Sequence, residues 1–311
     1  MIKKITLILL IFSSLNFAQE VKLTELETIS FEGNDNFSNA ELYAVIGIKE
    51  TPNAISQALN SIFGIGEEAV IFDSLALNEE VVRLKSFYFN NGFFNTVVTP
   101  TFKLNKQKTN AEAIFNISEG KASKYKSISV FGLDSLKGDD KWIVKDYIKI
   151  DTNEIYSYEE LSSINENIVN YLNHNGYMLC NIDSTLIFID TLKNNVSAKL
   201  FFDLGRKYQI SDITIERDGP GKDEVEDQLI SDLVGINKDE LYSMYNIQRG
   251  QGRLYKTKIF NVAIINSEIN DTLNNTVPLK ISTEIGNMYQ ATPEVIMNNE
   301  DDRFNLGLGL G

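Results

Sequence analysis

The chain has 311 residues, room for about two domains or three small ones at roughly 150 residues each. Its 29 Lys and Arg against 43 Asp and Glu leave a formal charge of −14, which argues against a phosphate-backbone binder built on clustered cations. One histidine (His174) and one cysteine (Cys180) exclude a disulfide framework, a Cys/His zinc cluster and a Cys-Cys redox motif, and 43% hydrophobic residues exclude disorder as the class.

The first predicted element is an export signal over residues 1–18. Lys3 and Lys4 precede an apolar run from Ile5 to Phe12, and Ala18 supplies the small residue at the cleavage point. The run is shorter than the roughly 20 residues a membrane helix needs.

A strand and turn follow at Ile29-Ser30-Phe31-Glu32-Gly33. Ser38 and Glu41 are spaced as a capping box, hydroxyl and carboxylate satisfying the free amides of a first helical turn. An extra amphipathic stretch carries Ile55, Leu59 and Ile62 before a second helix ends at Asn91-Gly92-Phe93, where glycine takes the left-handed cap. A strand over residues 96–104 leads to residues 111–120, where Ala111, Ala113, Phe115 and Ile117 alternate with mostly polar positions. Period two with one apolar face is a strand buried on one side.

The same order then recurs. Ile128-Ser129-Val130-Phe131-Gly132 opens a second unit, a helix starts at Ser157 with Leu161, Ile164, Ile168 and Tyr171 on one face, and Asn175-Gly176-Tyr177 ends it. Strands at 182–189 and 196–205 close the unit, the second with Val196, Ala198, Leu200 and Phe202 inward. A third unit opens at Ile213-Thr214-Ile215-Glu216, with Asp223 and Glu226 predicted to cap its first helix. Its second helix carries Gly250 and Gly252 and ends at Thr257-Lys258-Ile259, with no glycine at the cap. Strands at 262–269 and 277–286 finish it, the latter with Val277, Leu279, Ile281 and Thr283 inward. Ile114 and Phe201 break the alternation. In the tail, Phe304, Leu306, Leu308 and Leu310 alternate with Asn305 and glycines, as strands of a membrane barrel do. The unit is strand, helix, helix, strand, strand: an α+β arrangement with helices over one face of a small sheet.

An exported βααββ unit of this size, repeated with an Asn-Gly-Phe/Tyr landmark, resembles the POTRA domain of outer-membrane assembly and translocation proteins, the family of BamA and TamA. Leu254-Tyr255 and Ile259-Phe260 are similar to that family's Leu-Tyr…Leu-Phe ending, with Lys258 in place of the usual glycine. The resemblance implies three tandem POTRA domains at 22–121, 123–206 and 208–289 after a signal peptide at 1–18, then the start of a membrane β-barrel at 290–311, cut just inside it. It implies an outer-membrane protein with POTRA domains in the periplasm, serving as the scaffold of an assembly and insertion factor. Its partners would be unfolded outer-membrane protein clients, accessory periplasmic proteins and the outer membrane itself, with no nucleic acid, cofactor, metal or catalytic residue.

In that fold the middle strand of each unit lies at a sheet edge, and Pro100 agrees, since proline is tolerated at edges. Edges accept an extended segment through main-chain bonds. The expected partner-binding residues are Val98, Thr99 and Phe102, then Ser184, Leu186 and Phe188, then Val262, Ile264 and Asn266; the competing reading of each is an ordinary sheet position facing its own helices. His174 reads as a solvated cap residue, Cys180 as buried, Trp142 as a core or rim aromatic, and the acidic run from Asp223 to Asp227 as a solvated first helical turn. Two alternatives remain at this point: a translocation porin of the two-partner-secretion type, and, in a different class, a secreted hydrolase using paired carboxylates.

Overall fold

A computed structural model describes residues 23–149, 151, 153–267, 274–287, 293–300 and 303–310. The export signal expected at residues 1–18 lies outside the described residues. The first repeat runs β1 (Glu25–Glu32), α1 (Asn39–Val45), α2 (Ala54–Phe63), α3 (Ala76–Asn90), β2 (Val97–Leu104) and β3 (Asn110–Ser118). The second runs β4 (Lys124–Phe131), α4 (Gly138–Tyr147), α5 (Tyr158–His174), β5 (Asn181–Asp190) and β6 (Asn195–Asp203). The third runs β7 (Gln209–Asp218), α6 (Asp227–Val234), α7 (Met244–Lys256), β8 (Phe260–Ser267) and β9 (Thr276–Ile285).

Each repeat forms its own three-stranded sheet, ordered β1-β3-β2, β4-β6-β5 and β7-β9-β8. The last strand of each unit lies in the middle. In the first and third sheets it is parallel to the opening strand and antiparallel to the one before it. The parallel pairing follows from the helical crossover, because two parallel strands cannot be joined by a tight turn.

Burial follows the alternation read from the sequence. Ala111, Ala113, Phe115 and Ile117 are buried on β3, Val196, Ala198, Leu200 and Phe202 on β6, and Val277, Leu279, Ile281 and Thr283 on β9. Against β3 pack Leu42, Leu84, Tyr88 and Phe93; against β9 pack Ile230, Val234, Ile247 and Leu254. Each large apolar side chain so buried contributes about 1.5–3 kcal/mol, so the closing strand and its helices carry each core. Of the two residues that break the pattern, Ile114 is buried, and Phe201 stacks on Phe131 with ring centroids 4.9 Å apart.

Local signals were partly right. Ser38 caps α1 as a full capping box: its hydroxyl accepts the Glu41 amide at 3.3 Å and its own amide donates to the Glu41 carboxylate at 2.8 Å. Residues 54–63 form the extra helix α2, which buries no residue. The third unit corrects an expectation, because Asp223 and Glu226 make no capping box. There α6 starts at Asp227 with Glu226 as N-cap and no side-chain bond. Arg217 holds this turn instead, pairing with Asp227 at 2.7 Å and donating to the carbonyls of Lys222 and Val225. Trp142 is also corrected: it is 68% exposed, with the Lys149 ammonium 5.7 Å above its ring. Cys180 is buried as expected, and burial, then the Asp203 carboxylate, pushes its thiol up to about 11.

In the tail, β10 (Pro293–Glu300) and β11 (Arg303–Leu310) pair as an antiparallel hairpin, from Pro293 opposite Leu310 to Glu300 opposite Arg303. The chain divides into two compact units, Met1–Tyr125 with Thr152–Glu159 and Ile189–Val196, and Lys126–Asp151 with Glu160–Phe188 and Ser197–Gly311. The second repeat contributes to both.

Candidate partner-binding edges

The strand order puts β2, β5 and β8 at sheet edges, each with one strand neighbour among the described residues. An edge strand offers a row of backbone donors and acceptors along its outer side. What distinguishes the three edges is the side chains around that row.

On β8 the alternation is clean. Ala263 and Ile265 are buried, while Val262, Ile264 and Asn266 lie on the opposite, outward face, with Ile264 41% exposed. On β5 the expected residues also share one face, and Leu186 and Phe188 are 47% and 50% exposed. The Lys199 ammonium from β6 sits 5.2 Å over the Phe188 ring. On β2 the expected set divides between faces. Thr99 is exposed, but Val98 belongs to the first core at 4% exposure, and Phe102, on the same side as Val98, packs its ring 5.0 Å from Phe72. Val98 therefore has only its backbone to offer an incoming strand.

The family profile named POTRA, described as surface antigen variable number repeat, matches residues 24–120. The structure is similar to POTRA domains 3–5 of Haemophilus influenzae BamA, with a TM-score of 0.50 and 15% identity over 84% of this chain and 96% of that one.

The chain has the fold of tandem POTRA domains.

In sequence it is similar to the outer membrane protein assembly factor BamA of Buchnera aphidicola subsp. Acyrthosiphon pisum, at 23% identity over 239 residues, 76% of this chain and 35% of that protein. The chain thus spans about a third of the length of that curated relative.

The third sheet holds a feature that the sequence alone did not reveal. Beside its β8 edge lies a groove of about 540 Å³, lined by Glu216, Asp218, Val262, Ser282, Thr283 and Glu284 together with Arg217. Register builds it: Asp218 stands opposite Glu284, which stands opposite Val262, and Glu216 stands opposite Ser282. Lys280 neutralises Glu216 at 2.8 Å and Arg217 is held by Asp227, so Asp218 and Glu284 give the groove its negative end. Like charges facing across a strand pair destabilise the sheet slightly. The acids at alternate positions of β7 were visible in sequence; their neighbours on β9 were not. His174 ends α5 with its ring 5.7 Å from Tyr245, an aromatic contact with no nucleophile or metal partner among the described residues.

Proposed function

We propose that this POTRA array is the periplasmic scaffold of an outer-membrane protein assembly factor and binds client or partner segments by strand addition at β5 and β8. Residues 22–121, 123–206 and 208–289 are its three domains, exported by the signal at 1–18, and residues 290–311 begin a barrel that anchors the array in the outer membrane. Unfolded outer-membrane clients carry the matching chemistry, since their strands alternate apolar and polar residues. The observation that carries this reading is the outward apolar row on an edge strand, Leu186 and Phe188 on β5. A strand added there gains main-chain bonds from the edge and buries its own apolar side chains beside those rings. The similarity to BamA agrees with it. The work asked of the chain is binding, and its edges supply that without a catalytic group.

A photo-reactive residue at position 186 tests this against a urea-unfolded outer-membrane porin diluted into buffer. The expected result is crosslinking at 186, and at labels placed instead at 188 or 264; adding Leu186→Pro should suppress it at 188 and leave it unchanged at 264. Equal crosslinking on the helix face, at Asn167, would overturn the reading.

A further inference from the structure

The turn that ends the long helix of each repeat does more than cap it. The Gly92 carbonyl accepts the Ser123 amide at 2.9 Å, and the Gly176 carbonyl accepts the Tyr208 amide at 2.9 Å. Ser123 and Tyr208 stand at the head of the next repeat, each just before its opening strand. Their own carbonyls accept the amides of Tyr156 and Tyr242, both at 2.9 Å. The amides of Tyr125 and Ile210 then donate to the carbonyls of Glu154 and Glu240 at 3.1 and 2.9 Å. One chain of backbone bonds is written twice, each copy inside one compact unit.

An apolar residue covers the glycine in both copies. A Cβ at Gly92 would lie 3.0 Å from Ile155 Cγ2 and 2.8 Å from the Tyr156 carbonyl oxygen; at Gly176 it would lie 2.8 Å from Leu241 Cδ1. Ile155 and Leu241 are equivalent residues, each bridging the first residue of its repeat's opening strand, as Ile71 does in repeat one. Ile71 is 56% exposed against 43% and 40% for the two that sit on a glycine.

Lys258 is where the third copy departs from the first two. It holds the left-handed conformation at φ +59°, as Gly92 and Gly176 do at +85° and +98°. A side chain near φ +59° costs only about 1–2 kcal/mol, whereas at +85° and +98° the backbone itself already favours glycine. Space adds to this: a Cβ at Gly92 would meet the Tyr156 and Ser123 carbonyl oxygens, and one at Gly176 would push the Leu241 side chain out of its place.

We propose that the glycine of this turn is a coupling seat on which the following POTRA repeat docks through one backbone bond and one apolar side chain, and that Lys258 closes the third seat to that mode of docking. The first two seats stiffen the array at its repeat junctions. A unit beyond repeat three cannot attach as repeats two and three do. The docking contacts use no residue of β2, β5 or β8, although each seat lies a few residues ahead of one of these strands.

Pulsed dipolar spectroscopy on the full chain, spin-labelled at the exposed Glu166 and Lys238, reads the seat between repeats two and three. Gly176→Ala should widen the distance distribution at least about twofold, toward the free interdomain motion expected without a firm junction. Leu241→Ala, a trim of a half-exposed side chain that leaves every core intact, should widen it too, while Lys258→Gly leaves it unchanged. Far-UV circular dichroism confirms that the repeats stay folded. If Leu241→Ala keeps the parent width, or if Lys258→Gly widens it as much as Gly176→Ala, the seat is refuted and the glycine is a cap alone.

Discussion

Removing one oxygen from the first repeat isolates a buried charged contact. Tyr88 is fully buried on α3, and its hydroxyl donates to Glu119 Oε1 at 2.9 Å. Glu119 is 6% exposed just past β3 and also accepts the Asn36 backbone amide at 3.1 Å and the Asn36 side-chain amide, tying the turn after β1 to the end of β3. Burial, then the bond to Glu119, holds the Tyr88 hydroxyl well above the usual phenol range, so it stays a donor at neutral pH. Tyr88→Phe keeps the ring against Phe37 and Phe93, at 5.2 and 5.9 Å, and deletes only the donor. A hydrogen bond to a charged group is worth about 1.5–3 kcal/mol, so the expected loss is about 2 kcal/mol. For a domain of this size that lowers Tm by roughly 8–16 °C. Hydrogen–deuterium exchange on the full chain separates the repeats, because repeats in an array open in part independently. Amides of α3 and β3 should exchange about 30-fold faster and those of β9 unchanged. Acceleration under about threefold in β3, or an equal effect in β9, would refute the assignment of this contact to the first core.

Other expectations follow from burial and charge. Phe115→Ala, fully buried in the first core, should destabilise by roughly 3–5 kcal/mol in urea titrations, whereas Leu186→Ala on the β5 edge should change stability by less than about 1 kcal/mol and weaken porin capture. At high pH the array should lose stability, read by alkaline denaturation. Burial raises Tyr156 and Tyr171 to about 12, so both stay protonated in the fold while unfolded tyrosines ionise from about pH 10. Stability is therefore full below pH 10 and falls between 10 and 12, and Tyr156→Phe should flatten that slope. Cys180, buried and with its thiol pushed up to about 11, should react with N-ethylmaleimide at pH 8 at least about 100-fold slower than in urea.

Much of the fold was legible because one-sided burial writes itself in period two. Val277, Leu279 and Ile281 could be placed on one face before any coordinates, and Ser38 with Glu41 marked a helix start by local chemistry alone. What was missed is tertiary. Asp223 has the right spacing to cap α6, but Arg217 arrives from β7 and organises that turn differently. The strand β10 went unread because Val295-Ile296-Met297 is a continuous apolar run without alternation. The candidate edges were readable as strands, yet the face of each residue depends on counting from a fixed buried position. Counting from Val98 puts Phe102 on the helix side, a parity that the unlike picks on β2 crossed. The acidic groove of the third sheet needed register, which sets Asp218 against Glu284. Gly92 and Gly176 had a sufficient local explanation as caps, and that concealed the approach of Ile155 and Leu241.

The central claim, that another backbone adds to an exposed sheet edge, is tested most directly by nuclear magnetic resonance with a labelled peptide of about ten alternating apolar and polar residues, the length of one barrel strand. The expected result is a ladder of peptide-to-β5 amide contacts at every second residue, with new exchange protection along Ser184, Leu186 and Phe188. Peptide contacts confined to α5, with β2, β5 and β8 amides unprotected, would contradict it.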